Sequence, residues 1–223
     1  MIVLVAHEKG GVGKTSVAVN IAALASSDGV RTLLLDTDPN GSTTGWLTTR
    51  ETLSLDTQIF SLMLTASPAK MVADQAQHYD LVVVDAGAGA WDTLLSVSLQ
   101  ADLVIIPVSP GQYEVDATKR VFEALRSMDQ RHIRGKVPAY ALLNMIPTNS
   151  RSKEEADLRE FLVSEYKIPV MTNFLRSRKA WRECSKEGLG LHELPSAQRD
   201  NKAIDEIRAV YTEAAQLAER GSL

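Results

Sequence analysis

The sequence contains one cysteine, Cys184, among 223 residues. A single thiol can form neither an internal disulfide nor a cysteine-based metal cluster, so we expect the protein to work in a reducing compartment. An excess of basic residues is also missing, because 24 Lys and Arg stand against 28 Asp and Glu, a formal net charge of −4. This balance excludes a protein that binds nucleic acid through its overall charge, so any affinity for DNA must be local.

The sequence also lacks long hydrophobic runs. No run approaches the ~18 consecutive apolar residues of a membrane-spanning helix, and the apolar run at 2–6 is too short for the core of a signal peptide. Hydrophobic residues make up 44% of the chain and charged residues 23%, as in ordinary globular proteins. We therefore expect a cytoplasmic protein.

Short, branched apolar runs recur along the chain at 2–6, 32–36, 81–85, 103–108 and 139–144. They are apolar on both faces, which is typical of strands inside a parallel sheet that helices cover on both sides. Segments with helical periodicity separate or follow them at 14–27, 68–77, 92–100, 112–131, 151–165, 176–187 and 200–219, and a short strand is predicted at 169–172. The alternation predicts a doubly wound α/β fold with a mostly parallel sheet.

The length of the chain favours one α/β domain over residues 1–223. Because the first predicted strand begins at Ile2, we expect no N-terminal helix-turn-helix module for reading DNA.

A glycine-rich loop follows the first strand directly and leads into the first helix. Three glycines let the backbone turn its N–H groups toward phosphate oxygens, and the helix N-terminus adds its positive dipole end. Lys14 is placed to reach the β- and γ-phosphates, and the Thr15 hydroxyl to ligate Mg²⁺. Glu8 occupies the first glycine position of the G-x-x-x-x-G-K-[ST] pattern and departs from it. The predicted nucleotide-binding residues are Gly10, Gly11, Val12, Gly13, Lys14, Thr15 and Ser16.

A dinucleotide-binding fold is the rival interpretation of this loop. Asp36 and Asp38 end the second strand about 23 to 25 residues beyond Gly13, where an acid that binds ribose would stand. The lysine at position 14, and Ser16 where the third glycine of G-x-G-x-x-G would stand, argue against that fold.

The string KGGVGKT at 9–15, with an additional lysine at Lys9, resembles the deviant Walker A motif of the ParA/MinD family of dimeric ATPases. The whole chain is similar to the short plasmid-partition type within that family. The resemblance implies a P-loop NTPase fold, ATP and Mg²⁺ as cofactors, a homodimer formed with ATP, and slow hydrolysis stimulated by a separate adaptor protein. It also implies that Lys9 touches the phosphates bound by the other subunit, where it would act as an arginine finger does.

Acidic residues follow two of the predicted strands. Asp36 and Asp38 resemble the D-x-D-P-Q switch segment of the family, with Asn40 in place of Gln. We expect Asp38 to hold or polarise the attacking water, and Asp36 to support the loop or the Mg²⁺ shell; alternatively, one of them caps a helix at 41–46. We expect Asp85 to be the Walker B acid that holds a Mg²⁺-bound water. Alternatively, it is a simple N-cap of the following helix.

Asn144 ends the strand at 139–144 and matches the asparagine of the family that contacts adenine. An amide presents both a donor and an acceptor to a purine edge. The four histidines have neither metal-ligand spacing nor a nucleophile partner, so we expect no metal or triad role for them.

Positive charge is locally concentrated at 176–186, and the predicted DNA contacts there are Arg176, Arg178, Lys179 and Arg182, with Lys186 beside them. Spacing of three to four residues puts several of them on one helix face, which suits phosphate contacts without base reading. The segment also resembles the region of the family that binds DNA nonspecifically. A second candidate face holds Lys119, Arg120, Arg126, Arg131, Arg134 and Lys136. Either group could instead be an ordinary solvated surface.

These patterns together predict an ATP-dependent, dimerising ATPase that positions or partitions a cargo through ATP-controlled nonspecific DNA binding, and is associated with the nucleoid when ATP is bound. One alternative is a MinD-like membrane ATPase, for which the C-terminal helix at 200–219 would be the anchor. Its polar face lacks the basic excess that anionic lipids select, so we expect it to pack on the domain and no membrane binding. The other alternative is a P-loop metabolic enzyme.

Overall fold

The computed structural model describes residues 1–38, 41–55, 57–63, 68–132, 135–149 and 153–220. Within these ranges the strands are β1 (Ile2–Val5), β2 (Thr32–Asp36), β3 (Phe60–Met63), β4 (Leu81–Asp85), β5 (Leu103–Val108) and β6 (Ala139–Leu143). The α-helices are α1 (Lys14–Ser27), α2 (Ser42–Glu51), α3 (Pro68–Gln75), α4 (Trp91–Ser98), α5 (Gln112–Ser127), α6 (Glu154–Ser164), α7 (Lys179–Glu187) and α8 (Asn201–Arg220).

The strands form one parallel sheet in the order β3-β2-β4-β1-β5-β6. The predicted doubly wound α/β fold is therefore confirmed. Register aligns Asp36 of β2 with Asp85 of β4, and Asp85 in turn with Val5 of β1. Because all strands run the same way, these two acids and the loop that leaves β1 lie at the same carboxyl edge, where such sheets bind ligands.

Apart from the edge strand β3, both faces of the sheet are largely buried, which is why most strand positions are apolar. Val3 and Val83 pack in the layer that contains α1 and α8, and Leu4 and Val82 in the layer that contains α4 and α5. Ile207 and Ala214 of α8 are buried in the first of these layers. The apolar stripe of the C-terminal helix is thus covered by the protein itself, as expected. In the described part of the chain, no helix has the length and apolarity to cross a membrane.

The structure differs from the sequence prediction in several elements, three of which bear on the edges of the sheet and on the basic segment. Strand β3 was not predicted, because it pairs only with β2 at the edge of the sheet and exposes Phe60 and Leu62. The predicted strand at 169–172 is reduced to an isolated bridge between Val170 and Ala141 of β6. Helix α7 begins at Lys179 instead of 176, because the preceding residues are extended.

Candidate nucleotide-binding site

The glycine loop borders a cavity of about 440 Å³ at the carboxyl edge of the sheet. Gly11 and Gly13 have φ angles of 80° and 91°, which lie in the left-handed region that favours glycine. A Cβ atom on Gly13 would also collide with Nδ2 of Asn144. The loop lines the cavity with Gly10, Gly11, Gly13, Lys14, Thr15 and Ser16, and Asp38, Ser42, Ala86 and Met145 line its other walls.

Lys14 lies largely buried at the first turn of α1, and its Nζ donates a hydrogen bond to the carbonyl oxygen of Lys9 at 2.8 Å. Burial lowers the pKa of Lys14, and the nearby carboxylates of Asp85 and Asp38 partly oppose that shift. A cation that has already lost most of its water, beside a glycine loop, is well placed to bind phosphate oxygens.

Asp85 is buried at the end of β4. Its Oδ2 accepts hydrogen bonds from Oγ1 of Thr15 and Oγ1 of Thr43, each at 2.7 Å, whereas its buried Oδ1 has no hydrogen-bond partner among the described residues. Burial raises the pKa of Asp85 to about 6, and the two hydroxyl groups oppose that rise. An unpartnered buried carboxylate oxygen is costly and favours a cation beside it.

This donor set fits Mg²⁺. Magnesium prefers oxygen ligands and usually takes one or two from the protein, with phosphates and water as the rest. The Thr15 hydroxyl and the Asp85 carboxylate offer that number. Among the described residues, no group of three or more His, Cys, Asp or Glu side chains could hold a metal ion by itself, so an ion here would depend on the phosphates.

Both oxygens of Asp36 are engaged by the protein. Oδ1 accepts the backbone N–H of Asp38 at 2.8 Å, and Oδ2 accepts the N–H and the hydroxyl of Thr44 at 3.1 and 3.2 Å. Through these contacts Asp36 supports the segment after β2 and the first turn of α2. Its predicted part in the Mg²⁺ shell stays a prediction. Asn40 lies outside the described residues.

Asp38 borders the cavity between the glycine loop and the segment after β4. A Cβ atom on Gly87 would lie 2.9 Å from the Cα of Asp38, so the two segments that follow β2 and β4 touch at this glycine. That Asp38 positions the attacking water stays a prediction.

Lys9 contacts residues of its own chain in the structure. Its Nζ donates to Oε1 of Glu114 on α5 at 2.9 Å and lies 5.6 Å from the ring centroid of Tyr113. Its backbone N–H donates to Nδ1 of His7 at 3.0 Å. The predicted contact of Lys9 with the phosphates of a second subunit stays a prediction.

Asn144 lies against the glycine loop, where its Nδ2 donates to the carbonyl oxygen of Val12 at 2.8 Å. Its predicted contact with adenine is untested by this geometry. The next residue, Met145, has a φ of 57°, which is uncommon for a residue with a side chain, and it borders the cavity. Neither Met145 nor the hydroxyl contacts of Thr43 and Thr44 carried a signal in the sequence.

The basic segment is not a single helix face, which corrects the sequence prediction. Arg178 precedes α7 and pairs with Glu206 at 2.6 Å and Asp200 at 3.5 Å. Arg176 also pairs with Glu206, at 3.8 Å. Both arginines contact acids at the start of α8 and so tie two elements together, although the side chain of Arg176 is still 32% exposed.

The remaining basic residues of this segment lie on α7. Lys179 is exposed and pairs with Glu183 one turn further on, at 2.7 Å. Arg182 and Lys186 are exposed and form no ion pair with any described residue. On the second basic face, Arg120 pairs with Glu8 and Arg126 donates to the carbonyl oxygens of Tyr166 and Lys167, whereas Arg134 lies outside the described residues.

Helix α2 is tied to the segment that follows α7. Arg50 forms two hydrogen bonds of 2.7 Å with the carboxylate of Glu193, and the indole N–H of Trp46 donates to the carbonyl oxygen of Leu189 at 3.2 Å. Arg50 is 6% exposed. The N-terminal turn of α2 carries Thr43, which contacts Asp85. Helix α2 therefore joins Asp85 of the site to the segment that directly follows α7.

Burial lowers the pKa of His7 to about 4, and Lys14, Lys9 and Arg120 add to this effect while Glu114 opposes it. In the unfolded chain the value is about 6.5, so unfolding takes up a proton between these two pH values. Folded stability therefore falls as the pH decreases through this window, and His7 accounts for about 2 kcal/mol of the loss between about pH 7 and pH 5.

The change His7→Asn is expected to remove this contribution. The side-chain oxygen of asparagine accepts a hydrogen bond as Nδ1 does, but it cannot be protonated in this range. Urea unfolding of both proteins from pH 7 to pH 5 measures the difference, and other titrating groups, such as Asp85, cancel from it. Parallel curves for the two proteins would contradict the assignment.

Comparison with known proteins gives a consistent picture. Residues 3–191 match the family model described as the CobQ/CobB/MinD/ParA nucleotide binding domain. The Maintenance of carboxysome distribution protein A of Gloeobacter kilaueensis is 31% identical over 223 residues, which cover 98% of this chain and 94% of that protein. Protein ParA of Rhizobium radiobacter is 27% identical over 213 residues, 96% of this chain and 95% of that protein.

Solved structures share the fold at low sequence identity. A complex of ATP with the D38A variant of McdA from Cyanothece has a TM-score of 0.70 and 14% identity, and covers 97% of this chain and 95% of its own. The septum site-determining protein MinD of Pyrococcus horikoshii with Mg-ADP has a TM-score of 0.69 and 18% identity, with 99% and 98% covered.

Proposed function

The chain belongs to the CobQ/CobB/MinD/ParA family of nucleotide-binding proteins, and from this premise we propose that it is an ATPase that dimerises with ATP and positions or partitions a cargo through nonspecific DNA binding. The observation that carries the proposal is a cavity that Lys14 and Thr15 line beside a glycine loop, with the buried carboxylate of Asp85 hydrogen-bonded to the Thr15 hydroxyl. Relatives named for carboxysome distribution and as ParA, matched over nearly their whole length, support the positioning role.

Each residue of the site has a chemical task in this proposal. The loop N–H groups and Lys14 bind the β- and γ-phosphates, and Asp38 orients the attacking water. Mg²⁺, held by Thr15 and Asp85, supplies charge neutralisation when it is bound. Lys9 of the second subunit adds the last positive charge, so hydrolysis stays slow until a dimer and an adaptor protein complete the arrangement.

Control of DNA binding by ATP is the second part of the proposal. The exposed cations on α7 are joined to the nucleotide site through the contacts of α2 with Glu193 and Leu189. A nucleotide that moves the segment after β2 therefore acts on α7 through one packed helix. A membrane-binding alternative is less well supported, because the apolar face of α8 is buried against α1.

A retention experiment tests the function as a whole. We expect the protein with ATP and Mg²⁺ to be retained on random-sequence DNA, and not on vesicles that contain anionic lipids, and to lose DNA retention with ADP. Vesicle retention that requires ATP would contradict the proposal and favour the membrane ATPase. DNA retention that is equal with ATP, ADP and no nucleotide would remove the nucleotide control.

Asp38→Ala is expected to slow hydrolysis by about 100-fold, because a positioned catalytic group typically contributes a factor of this size. Binding of ATP and Mg²⁺ is retained, since Lys14, Thr15 and Asp85 are unchanged, and the dimer with ATP accumulates. Single-turnover hydrolysis and sizing chromatography measure both effects, with Asp74→Ala on the exposed surface of α3 as the matched control. Wild-type single-turnover rates in Asp38→Ala would exclude Asp38 from the reaction.

A further inference from the structure

The side chain of Lys9 is held by a carboxylate of its own subunit. Nζ of Lys9 lies 2.9 Å from Oε1 of Glu114, and the two side chains are 34% and 28% exposed. The ring of Tyr113, the residue before Glu114, lies 5.6 Å from the same nitrogen. The ion pair lowers the pKa of Glu114, so this carboxylate is charged at neutral pH. The pair therefore lies at the surface, beside the glycine loop.

A hydrogen-bonded frame fixes the two partners relative to each other. The N–H of Lys9 donates to Nδ1 of His7, so the proton of the neutral ring is on Nε2. Nε2 lies 3.1 Å from Oγ1 of Thr118, and that hydroxyl donates to the carbonyl oxygen of Glu114 at 2.8 Å. His7 is fully buried. These hydrogen bonds hold the glycine loop against the first turn of α5. The contact of Lys9 with Glu114 therefore depends on this backbone frame as well as on the long side chain of Lys9.

The position of Lys9 conflicts with the task that the proposed function gives it. Its ammonium group cannot lie against Glu114 and also reach phosphates bound by a second copy of the chain. We propose that Glu114 is a positioning residue that holds Lys9 within the free subunit, and that ATP-dependent dimerisation exchanges this carboxylate for the phosphates of the second copy. The inference rests on the proposed function, since it requires the transfer of Lys9 between subunits.

The exposure of the pair makes such an exchange feasible. A solvent-exposed ion pair changes an equilibrium by about twofold to fivefold, whereas a deeply buried pair would lock the lysine in place. A dimer breaks two such pairs, so Glu114 opposes dimerisation by about 4- to 25-fold. A triphosphate offers Lys9 more negative charge than one carboxylate does, which favours the exchange once ATP is bound.

Two measurements on Glu114→Gln test this inference. Trace acetylation of Lys9 in the nucleotide-free protein, followed by mass spectrometry, is expected to become about twofold to fivefold faster. The dimerisation constant with a nonhydrolysable ATP analogue, from analytical ultracentrifugation, is expected to tighten by about 4- to 25-fold. Glu114→Asp keeps the charge but shortens the side chain, and should change both quantities in the same direction by less.

Glu8→Gln is the matched control. Glu8 lies in the same loop and loses the same charge, but its ion-pair partner is Arg120. Neither Lys9 acetylation nor dimerisation should change in this variant. If Glu8→Gln changes Lys9 acetylation and dimerisation as much as Glu114→Gln does, the effect comes from the loss of any negative charge near the loop, and the inference is overturned.

Unchanged acetylation in Glu114→Gln, or weaker dimerisation, would also overturn it. If acetylation becomes faster but dimerisation is unchanged, the inference fails and Lys9→Ala identifies the cause. A Lys9→Ala variant that still dimerises with ATP contradicts the transfer of Lys9 and with it that part of the proposed function. A Lys9→Ala variant that stays monomeric leaves the proposed function standing and rejects only the role of Glu114.

Discussion

Lys14→Ala is expected to weaken ATP binding by at least 100-fold, whereas Lys9→Ala is expected to bind ATP normally and fail to dimerise or hydrolyse it. Lys14 lines the cavity on the first turn of α1, and in the proposed function its Nζ donates to the β- and γ-phosphates. Charge-assisted hydrogen bonds contribute about 1.5–3 kcal/mol each, so loss of two of them accounts for this factor. Lys9 lies outside the cavity lining and points to α5.

The two variants are controls for each other, because both remove one positive charge from the same loop. Titration calorimetry with ATP and Mg²⁺ measures binding, and sizing with a nonhydrolysable analogue measures dimerisation. Lys14→Ala should not destabilise the protein without nucleotide, since burial of this cation is unfavourable and lowers its pKa. A Lys9→Ala protein that dimerises and hydrolyses ATP at the wild-type rate would show that the assignment of the two lysines is wrong.

The fold was predictable from sequence because its central strands are buried on both faces. Such strands are continuous apolar runs, and their burial in the structure is complete from Leu81 to Asp85 and from Leu103 to Val108. Strand β3 was not predicted from the sequence, because it forms the edge of the sheet and exposes both faces. Its backbone pairing with β2, not the burial of its own side chains, makes it a strand.

Some residues of the candidate site were likewise predictable from the sequence, and others were not. The loop follows β1, and the acids Asp36 and Asp85 end β2 and β4, so parallel topology alone brings them to one edge. The contact of Thr43 with Asp85 and the pair of Arg50 with Glu193 join residues 42 and 143 positions apart. The sequence contains no periodic pattern that predicts contacts of this kind, because they depend on how α2 packs against the site and against the segment after α7.

The basic segment illustrates how tertiary packing overrides a local pattern. Spacing alone predicted a helix from 176 that carries several of the basic residues on one face. Glu206 on α8 accepts the backbone N–H of Arg176 and the guanidinium of Arg178, and both residues precede α7. Arg178 is only 13% exposed and is engaged by two acids. The cations of this segment that form no ion pair with any described residue are Arg182 and Lys186 on α7.

Charge reversal at these two positions is expected to abolish ATP-dependent DNA binding and leave ATP-dependent dimerisation intact. Arg182 and Lys186 are four residues apart, so they share one face of α7 and can contact neighbouring phosphates. Two contacts from one subunit give weak binding at physiological salt, with a slope of about −2 in a plot of log affinity against log salt concentration. Dimerisation holds two such faces on one body, which doubles the slope to about −4 and makes the second contact intramolecular. ATP would thus control residence on DNA without creating a new surface.

Arg182→Glu/Lys186→Glu should lower the affinity of the ATP-bound dimer for random-sequence DNA by more than about 100-fold, since four favourable phosphate contacts become repulsive. The wild-type affinity should vary little with DNA sequence, because phosphate contacts carry no direct sequence information. Fluorescence anisotropy at several salt concentrations measures both the affinity and the slope, and sedimentation in the same buffer verifies the dimer. Arg131→Glu/Lys136→Glu is the matched control, since it reverses the same two charge types on the second basic face. If the α7 variant retains salt-sensitive DNA binding and the control variant loses it, the DNA site lies on that second face.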